Sequence, residues 1–235
     1  MAGKENFVIG WEKFGIQNYM NFCVIKNVFK TTKRWTGYWQ RRKIDWKNRY
    51  LATYSHPHRE LISRVLATFT WMSLLEIGCG PGANIYNIIS HFKGKQIGGI
   101  DINEDAINLA KQTFNGAFLK VGNTEDIMMS DKSVDVVLSD MCLMYIRHPD
   151  KAIKEIMRVA RTHIVFCELH SDSFYGKIKL LFKEGYCAHN YQKLLEKHGF
   201  YDIMIMKIPL ECWPDGNPQK TYGYIIRAKV PKYKK

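Results

Sequence analysis

The 235-residue chain has no apolar run long enough to cross a bilayer: stretches such as 74–77 and 203–206 fall far short of the ~20 residues a membrane helix needs. Its first residues lack the unbroken apolar segment of a secretory signal, because Glu12, Lys13, Gln17 and Asn18 interrupt it. Together these absences point to a cytoplasmic protein. The six cysteines, Cys23, Cys79, Cys142, Cys167, Cys187 and Cys212, contain no C-x-x-C pair and lack the density of a disulfide scaffold, so they read as reduced thiols. Cys142 and Cys167 sit in apolar surroundings that suit buried packing. His56 and His58 form an H-x-H pair without a third ligand at suitable spacing, so no metal is expected, and Pro57 marks a turn into a helix. Internal repeats and low-complexity segments are also missing.

Charge is present but uneven. Residues 1–70 carry 13 Lys and Arg against 4 Asp and Glu, and residues 171–235 carry 12 against 6. The intervening residues are near neutral, with 4 against 6 over 71–130 and 6 against 6 over 131–170. Basic ends on a neutral middle suit either a solvated surface or an anionic partner such as RNA.

The middle of the chain alternates β-branched runs with helical periodicity, the pattern of a parallel sheet covered by helices. Strands are expected at 73–77, 96–101, 117–121, 135–139 and 163–168. Helices are expected at 84–92 with Ile85, Ile88, Ile89 and Phe92 inward, at 104–113, and at 149–160 with Ile153, Ile156, Met157 and Ala160 inward. After Glu168 the rhythm breaks into a longer connection through Ser171, Asp172 and Gly176, then resumes with a helix at 191–198. Strands at 201–207 and 221–229, with no helix expected between them, pair antiparallel around turn chemistry at 214–218. The fold class is therefore α/β: a Rossmann-like, doubly wound sheet, mostly parallel, with a C-terminal antiparallel hairpin and helices on both faces. Residues 1–56 read as a basic extension and 57–235 as the domain itself. Trp11, Trp35, Trp39 and Trp46 lie in the extension among lysines and arginines, and its apolar residues, from Phe7 to Phe29, favour packing on the fold over a solvent-facing arm.

The chemistry concentrates at Gly78-Cys79-Gly80-Pro81-Gly82, a small-residue loop between a strand and a helix where a ligand can approach the backbone amides. Asp101, 21 residues after Gly80 and at the end of the next strand, is placed to accept from both hydroxyls of a ribose. Loop and carboxylate together point to an adenosine-containing ligand, although Gly78, Gly80 and Ala83 also satisfy the dinucleotide fingerprint.

Four segments in order, Leu75 to Gly82, Gly122-Asn123-Thr124-Glu125-Asp126-Ile127, Ser133-Val134-Asp135-Val136-Val137 and Glu155-Ile156-Met157-Arg158-Val159, resemble the class I S-adenosylmethionine-dependent methyltransferases, and within them the type 11 methyltransferase domain. Asn123 stands where that family usually has aspartate. The resemblance implies S-adenosylmethionine as cofactor, S-adenosylhomocysteine as product, and a cradle residue by residue. Glu76, Gly78, Cys79, Gly80 and Gly82 would hold the methionine part, Asp101 the ribose, Ile102 the adenine face, Asn123 and Thr124 the adenine edge, and Ser139 and Asp140 the region of the amino group and methyl. Asp140, Tyr145 and His170 are the candidates to orient or deprotonate an acceptor, and Tyr145, His170 and Trp213 to line its site. Ser139-Asp140-Met141-Cys142 replaces the N/D-P-P-Y/F motif of amine-directed nucleic-acid enzymes. The expectation is O- or N-methylation of a small-molecule acceptor, with residues before 57 and the 169–190 connection as lid. The rivals are an RNA methyltransferase gripping phosphates with its basic ends, and a protein that binds the cofactor and transfers nothing.

Overall fold

The computed structural model describes residues 32–213, 216 and 218–232. The apolar stretch from Phe7 to Phe29, Trp11, Cys23 and most of the expected 214–218 turn lie outside the described residues. Helices α1 (Thr32–Arg41), α2 (Trp46–Thr53) and α3 (His58–Leu66) lead into β1 (Ser73–Ile77), α4 (Ala83–His91), β2 (Gln96–Asp101), α5 (Glu104–Thr113) and β3 (Phe118–Val121). Then come β4 (Val134–Asp140), a 3-10 turn at Leu143–Tyr145, α6 (Asp150–Val159), β5 (Ala160–Leu169), α7 (Phe174–Glu184), α8 (Tyr191–Lys197), β6 (Tyr201–Lys207), α9 (Gln219–Tyr222) and β7 (Gly223–Lys229).

The seven strands run in the order β3-β2-β1-β4-β5-β7-β6. β1 pairs parallel with β2 and with β4, and β4 pairs parallel with β5. β7 slots between β5 and β6 and runs antiparallel to both. All five residues of β1 are buried, because a central parallel strand is covered on both faces. The strand period of two then sorts neighbours to opposite cores. Leu74, Val136, Val165 and Ile225 pack with Ile62, Ile85 and Ile107 of α3 to α5, whereas Leu75, Val137, Phe166 and Ile226 pack with Ile153, Ile156 and Leu195 of α6 and α8. Each such side chain, fully buried, contributes about 1.5–3 kcal/mol.

From β1 the chain winds outward to β2 and β3, then returns to place β4 on the other side of β1. The crevice beyond the carboxyl ends of β1 and β4 is the point where winding reverses, and it receives both the Gly78–Gly82 loop and Asp140. The Trp-rich segment closes over this crevice. Asn103 caps α5 by accepting from the Ala106 amide and donates its own amide hydrogens to the carbonyls of Trp39 (2.7 Å) and Arg42 (3.0 Å), tying the α1–α2 join to the end of β2. Where the sequence suggested only a connection, residues 174–184 form α7, capped by Ser173 and ended by Gly185 at φ +75°. Only Gly176 and Leu180 of that helix are buried, while Phe174, Tyr175, Ile178 and Phe182 face outward, which is why no core-facing period marks it. Among the described residues no helix is long and apolar enough to cross a membrane.

Candidate active site

The crevice opens into a cavity of about 480 Å³, within the usual range for small-molecule sites. Its floor is the glycine loop. Gly78 adopts φ +67°, and a Cβ there would lie 2.5 Å from Cys142 Sγ, so both backbone shape and close approach require glycine. Asp101 clamps this loop to the end of β2: its carboxylate accepts from the amides of Gly80 and Asn103, each at 2.8 Å. Burial raises the Asp101 pKa, against the pull of the Asn103, Gly80 and Ile102 amides and of the Arg49 guanidinium. Asn123 turns on itself, its side-chain oxygen accepting from the Glu125 amide at 2.9 Å, and Thr124 Oγ1 lies 3.8 Å from Cys142 Sγ.

On the other side, Asp140 Oδ2 gathers His58 Nε2, Arg59 Nη1 and Asn84 Nδ2, each at 2.9 Å. Burial pushes this carboxyl up, but the His58 ring, the Arg59 guanidinium and Asn84 outweigh it and hold Asp140 well below the usual carboxylate range. Glu76 behaves oppositely. Buried on β1, it accepts from Asn84 Nδ2 at 2.6 Å, has Asp140 nearby, and is pushed up to about 8. Glu168, at the end of β5, accepts from Ser139 Oγ (2.7 Å) and from the amides of Cys142, Leu143 and Met144, so it caps the Leu143–Tyr145 turn that forms one wall. Burial lifts it to about 7 despite these donors.

These two carboxyls predict a loss of stability as pH rises from about 4.5 to about 7 or 8. A glutamate that titrates at 4.5 when unfolded and at about 8 when buried keeps its proton in the folded chain while the unfolded chain releases it. Stability therefore falls as pH rises through that window, with a slope of roughly 1.4 kcal/mol per pH unit for each such group. Glu76→Gln, which mimics the protonated carboxyl, is expected to flatten the slope in urea titrations run across this range. An unchanged slope contradicts the assignment.

The third wall is aromatic. Trp35 and Trp39 pack against Tyr145 at ring-centroid distances of 5.1 and 5.2 Å, Trp39 lies 6.5 Å from Trp46, and Tyr186 from the 169–190 connection lies 5.6 Å from Tyr145. The Arg49 guanidinium sits 5.8 Å from the Trp39 ring and 6.0 Å from that of Trp46. Trp213 covers the opposite end, 4.1 Å from the His58 ring.

Of the residues singled out in the sequence, Glu76, Gly78, Cys79, Gly80, Asp101, Ile102, Asn123, Thr124, Asp140, Tyr145 and Trp213 line this cavity. Gly82 caps α4 at φ +91° behind the loop, and Ser139 is fully buried on Glu168. His170 is not brought to the cavity: its Nδ1 accepts from the Tyr191 amide at 3.2 Å and its ring packs on Tyr224. Burial, with Tyr186 nearby, raises Tyr145 above the ordinary phenol range. Cys142, read as a core thiol, lines the cavity beside Gly78 and stays a thiol because burial raises it. Sequence reasoning missed Arg49, Arg59, Asn84 and Glu168. Only Glu168 leaves a signal, a carboxylate directly after the apolar run from Ile164 to Cys167 in β5.

A family model described as a methyltransferase domain matches residues 70–199, more than half of the chain. The fatty-acid O-methyltransferase of Mycolicibacterium smegmatis is 33% identical over 91 residues, covering 37% of this chain and 33% of that protein. The chain spans about a third of the length of such curated relatives. A chain from the complex between the Haloferax volcanii Trm112 methyltransferase activator and a methyltransferase has the same fold, with TM-score 0.65 at 13% identity over 81% of this chain and 96% of that one. Phosphoethanolamine N-methyltransferase 2 of Haemonchus contortus, solved with S-adenosyl-L-methionine, shares it too, with TM-score 0.57 at 18% identity over 74% of this chain and 53% of that one. With the glycine loop and its carboxylate clamp at the point where the sheet's winding reverses, the chain belongs to the methyltransferase-domain family and has its class I fold.

Proposed function

We propose that this protein transfers a methyl group from S-adenosylmethionine to an oxygen or nitrogen of a small molecule. The observation that carries the reading is the Asp101 carboxylate, fixed by the Gly80 amide at the mouth of the glycine loop, where it can accept from ribose hydroxyls. The chemistry of the cavity fits the rest of the cofactor. Asp140 Oδ1, Glu76 Oε2 and Asn84 Oδ1 are buried polar atoms without a partner among the described residues, on three side chains that Asn84 Nδ2 links, and they suit an amino-acid end group. Ile102 offers an apolar face for adenine, and Asn123 and Thr124 flank its edge. Once bound, the cofactor supplies an electrophilic methyl group on a sulfonium. The protein then positions the acceptor in line with that carbon and keeps water away, tasks the aromatic wall and Trp213 suit.

A small acceptor suits a cavity of about 480 Å³, and three basic residues of the stretch over the crevice are engaged within the fold. Lys43 pairs with Asp105 at 2.6 Å, Arg42 lies over the Tyr38 ring, and Arg49 faces Trp39 and Trp46. Titration calorimetry tests the reading. Heat with S-adenosylmethionine and S-adenosylhomocysteine but not with NAD supports it, and Asp101→Ala is expected to weaken binding about 30-fold, the equivalent of ~2 kcal/mol for charge-assisted bonds. Binding of NAD alone sinks it. Label from the methyl group should enter small molecules, not RNA.

A further inference from the structure

We propose that the outer face of α7 docks on an anionic lipid surface and so holds the cavity beside it next to a bilayer. Such docking stands apart from methyl transfer and is read without it. Phe174 is 79% exposed and Tyr175 73%, and Ile178 and Phe182 are exposed too, all on one helix of 11 residues. At 3.6 residues per turn these four and the half-buried Leu181 share an arc of roughly 120°, opposite the two buried positions, Gly176 and Leu180. Lysines border the arc, with Lys179 and Lys183, both exposed, on one side and the half-buried Lys177 on the other. Apolar side chains scattered over a surface are ordinary, whereas a continuous stripe flanked by cations is the pattern of a helix that lies in a lipid interface.

Packing on the inner side fixes this face outward. A Cβ on Gly176 would lie 2.7 Å from Ser171 Oγ and 3.4 Å from the Tyr222 ring, so the first turn of α7 sits tight against the chain just past β5 and against α9. Leu180 packs with Met144, Leu169 and Ala188. Gly185 ends the helix beside Trp35, whose ring lies 3.5 Å from where a Cβ would stand, and the next residue, Tyr186, lines the cavity. The outward stripe is therefore carried by the cavity's own wall.

Charge selects the occupant. The helix carries Lys177, Lys179 and Lys183 against Glu184, which lies 3.6 Å from Lys183, and Asp172 precedes it; the whole chain carries a net +13. Lysine stems reach anionic headgroups while the rings between them enter the acyl boundary. A rigid protein partner would need a groove matched to two side chains that protrude as far as Phe174 and Tyr175, whereas a fluid surface accommodates them without one. RNA would stack on the three rings but finds nothing planar at Ile178, in the middle of the arc.

The test mixes the full chain with phosphatidylcholine vesicles, with or without about 30% phosphatidylglycerol, and reads the bound fraction by co-sedimentation. Binding is expected on the anionic vesicles and should be at least about 10-fold weaker on the neutral ones. Phe174→Gln with Phe182→Gln keeps every charge and should weaken binding to anionic vesicles at least about 10-fold. Lys179→Gln with Lys183→Gln should weaken it about 25-fold, at roughly five-fold per lysine. Both pairs replace exposed side chains, so urea midpoints should stay where they are. Absence of vesicle binding, or equal binding to neutral vesicles, overturns the proposal. So does a phenylalanine pair that binds like the full chain, because adsorption then belongs to charge elsewhere. A phenylalanine pair that leaves vesicle binding unchanged but shifts the urea midpoint, the sedimentation of the free protein or its RNA affinity assigns the face to the chain itself, a second copy or RNA, and overturns it as well.

Discussion

Asp140→Ala is expected to lower the free energy of unfolding by about 3–5 kcal/mol, because it removes the counter-charge from the buried Arg59 and leaves His58 without its acceptor. The side chains of Asp140, His58 and Arg59 are 7%, 3% and 11% exposed, so water cannot replace the lost carboxylate without rearrangement. Asp140→Asn keeps the shape and one acceptor oxygen and should cost less than half as much. Urea unfolding followed by tryptophan fluorescence measures both. A loss below about 1 kcal/mol for the alanine variant would show that Arg59 swings out to solvent, as an exposed ion pair permits.

Gly78→Ala should have an effect of comparable size, read mainly in ligand binding. The substitution combines a left-handed backbone at φ +67° with a methyl group 2.5 Å from Cys142 Sγ and 2.7 Å from its Cβ. The backbone term costs about 1–2 kcal/mol and the overlap a further 1–3 kcal/mol. Relief requires moving either the loop or the wall that Glu168 caps, and S-adenosylhomocysteine affinity should fall at least about 100-fold. Gly116→Ala isolates the first contribution, since Gly116 has φ +90° with nothing within 4 Å of the added carbon. If both variants bind equally well, the close approach of loop and Cys142 has no part in the site.

Much of this architecture is legible in the residues because local and tertiary preferences agree. Strands β1, β2 and β6 fall at the expected residues, since β-branched and apolar runs bounded by polar punctuation leave little freedom. The glycine-loop side of the cavity is legible for the same reason: a glycine loop and a carboxylate at fixed spacing are local features of one strand–helix–strand unit. The side that His58 and Asp140 form is not. His58 meets Asp140 across 82 positions, and nothing in the neighbourhood of either residue announces the other. Helix α7 went unread because its apolar residues face out and its two buried positions hold a glycine and a leucine, although Ser173 and Gly185 punctuate it clearly. His170 shows the converse. Its position after β5 suggested the ligand-binding rim, yet the α8 start captures its ring through the Tyr191 amide.

The placement of β7 bears on how the chain is made. A ribosome releases residues in order, so β5 and β6 emerge before the strand that joins them, and until residues 223–229 are available β5 has only β4 beside it and β6 has no partner in the sheet. Unpaired strand edges of this kind template intermolecular pairing. Nascent chains stalled just short of Gly223 should therefore aggregate or recruit chaperones, whereas those extended past Lys229 should not.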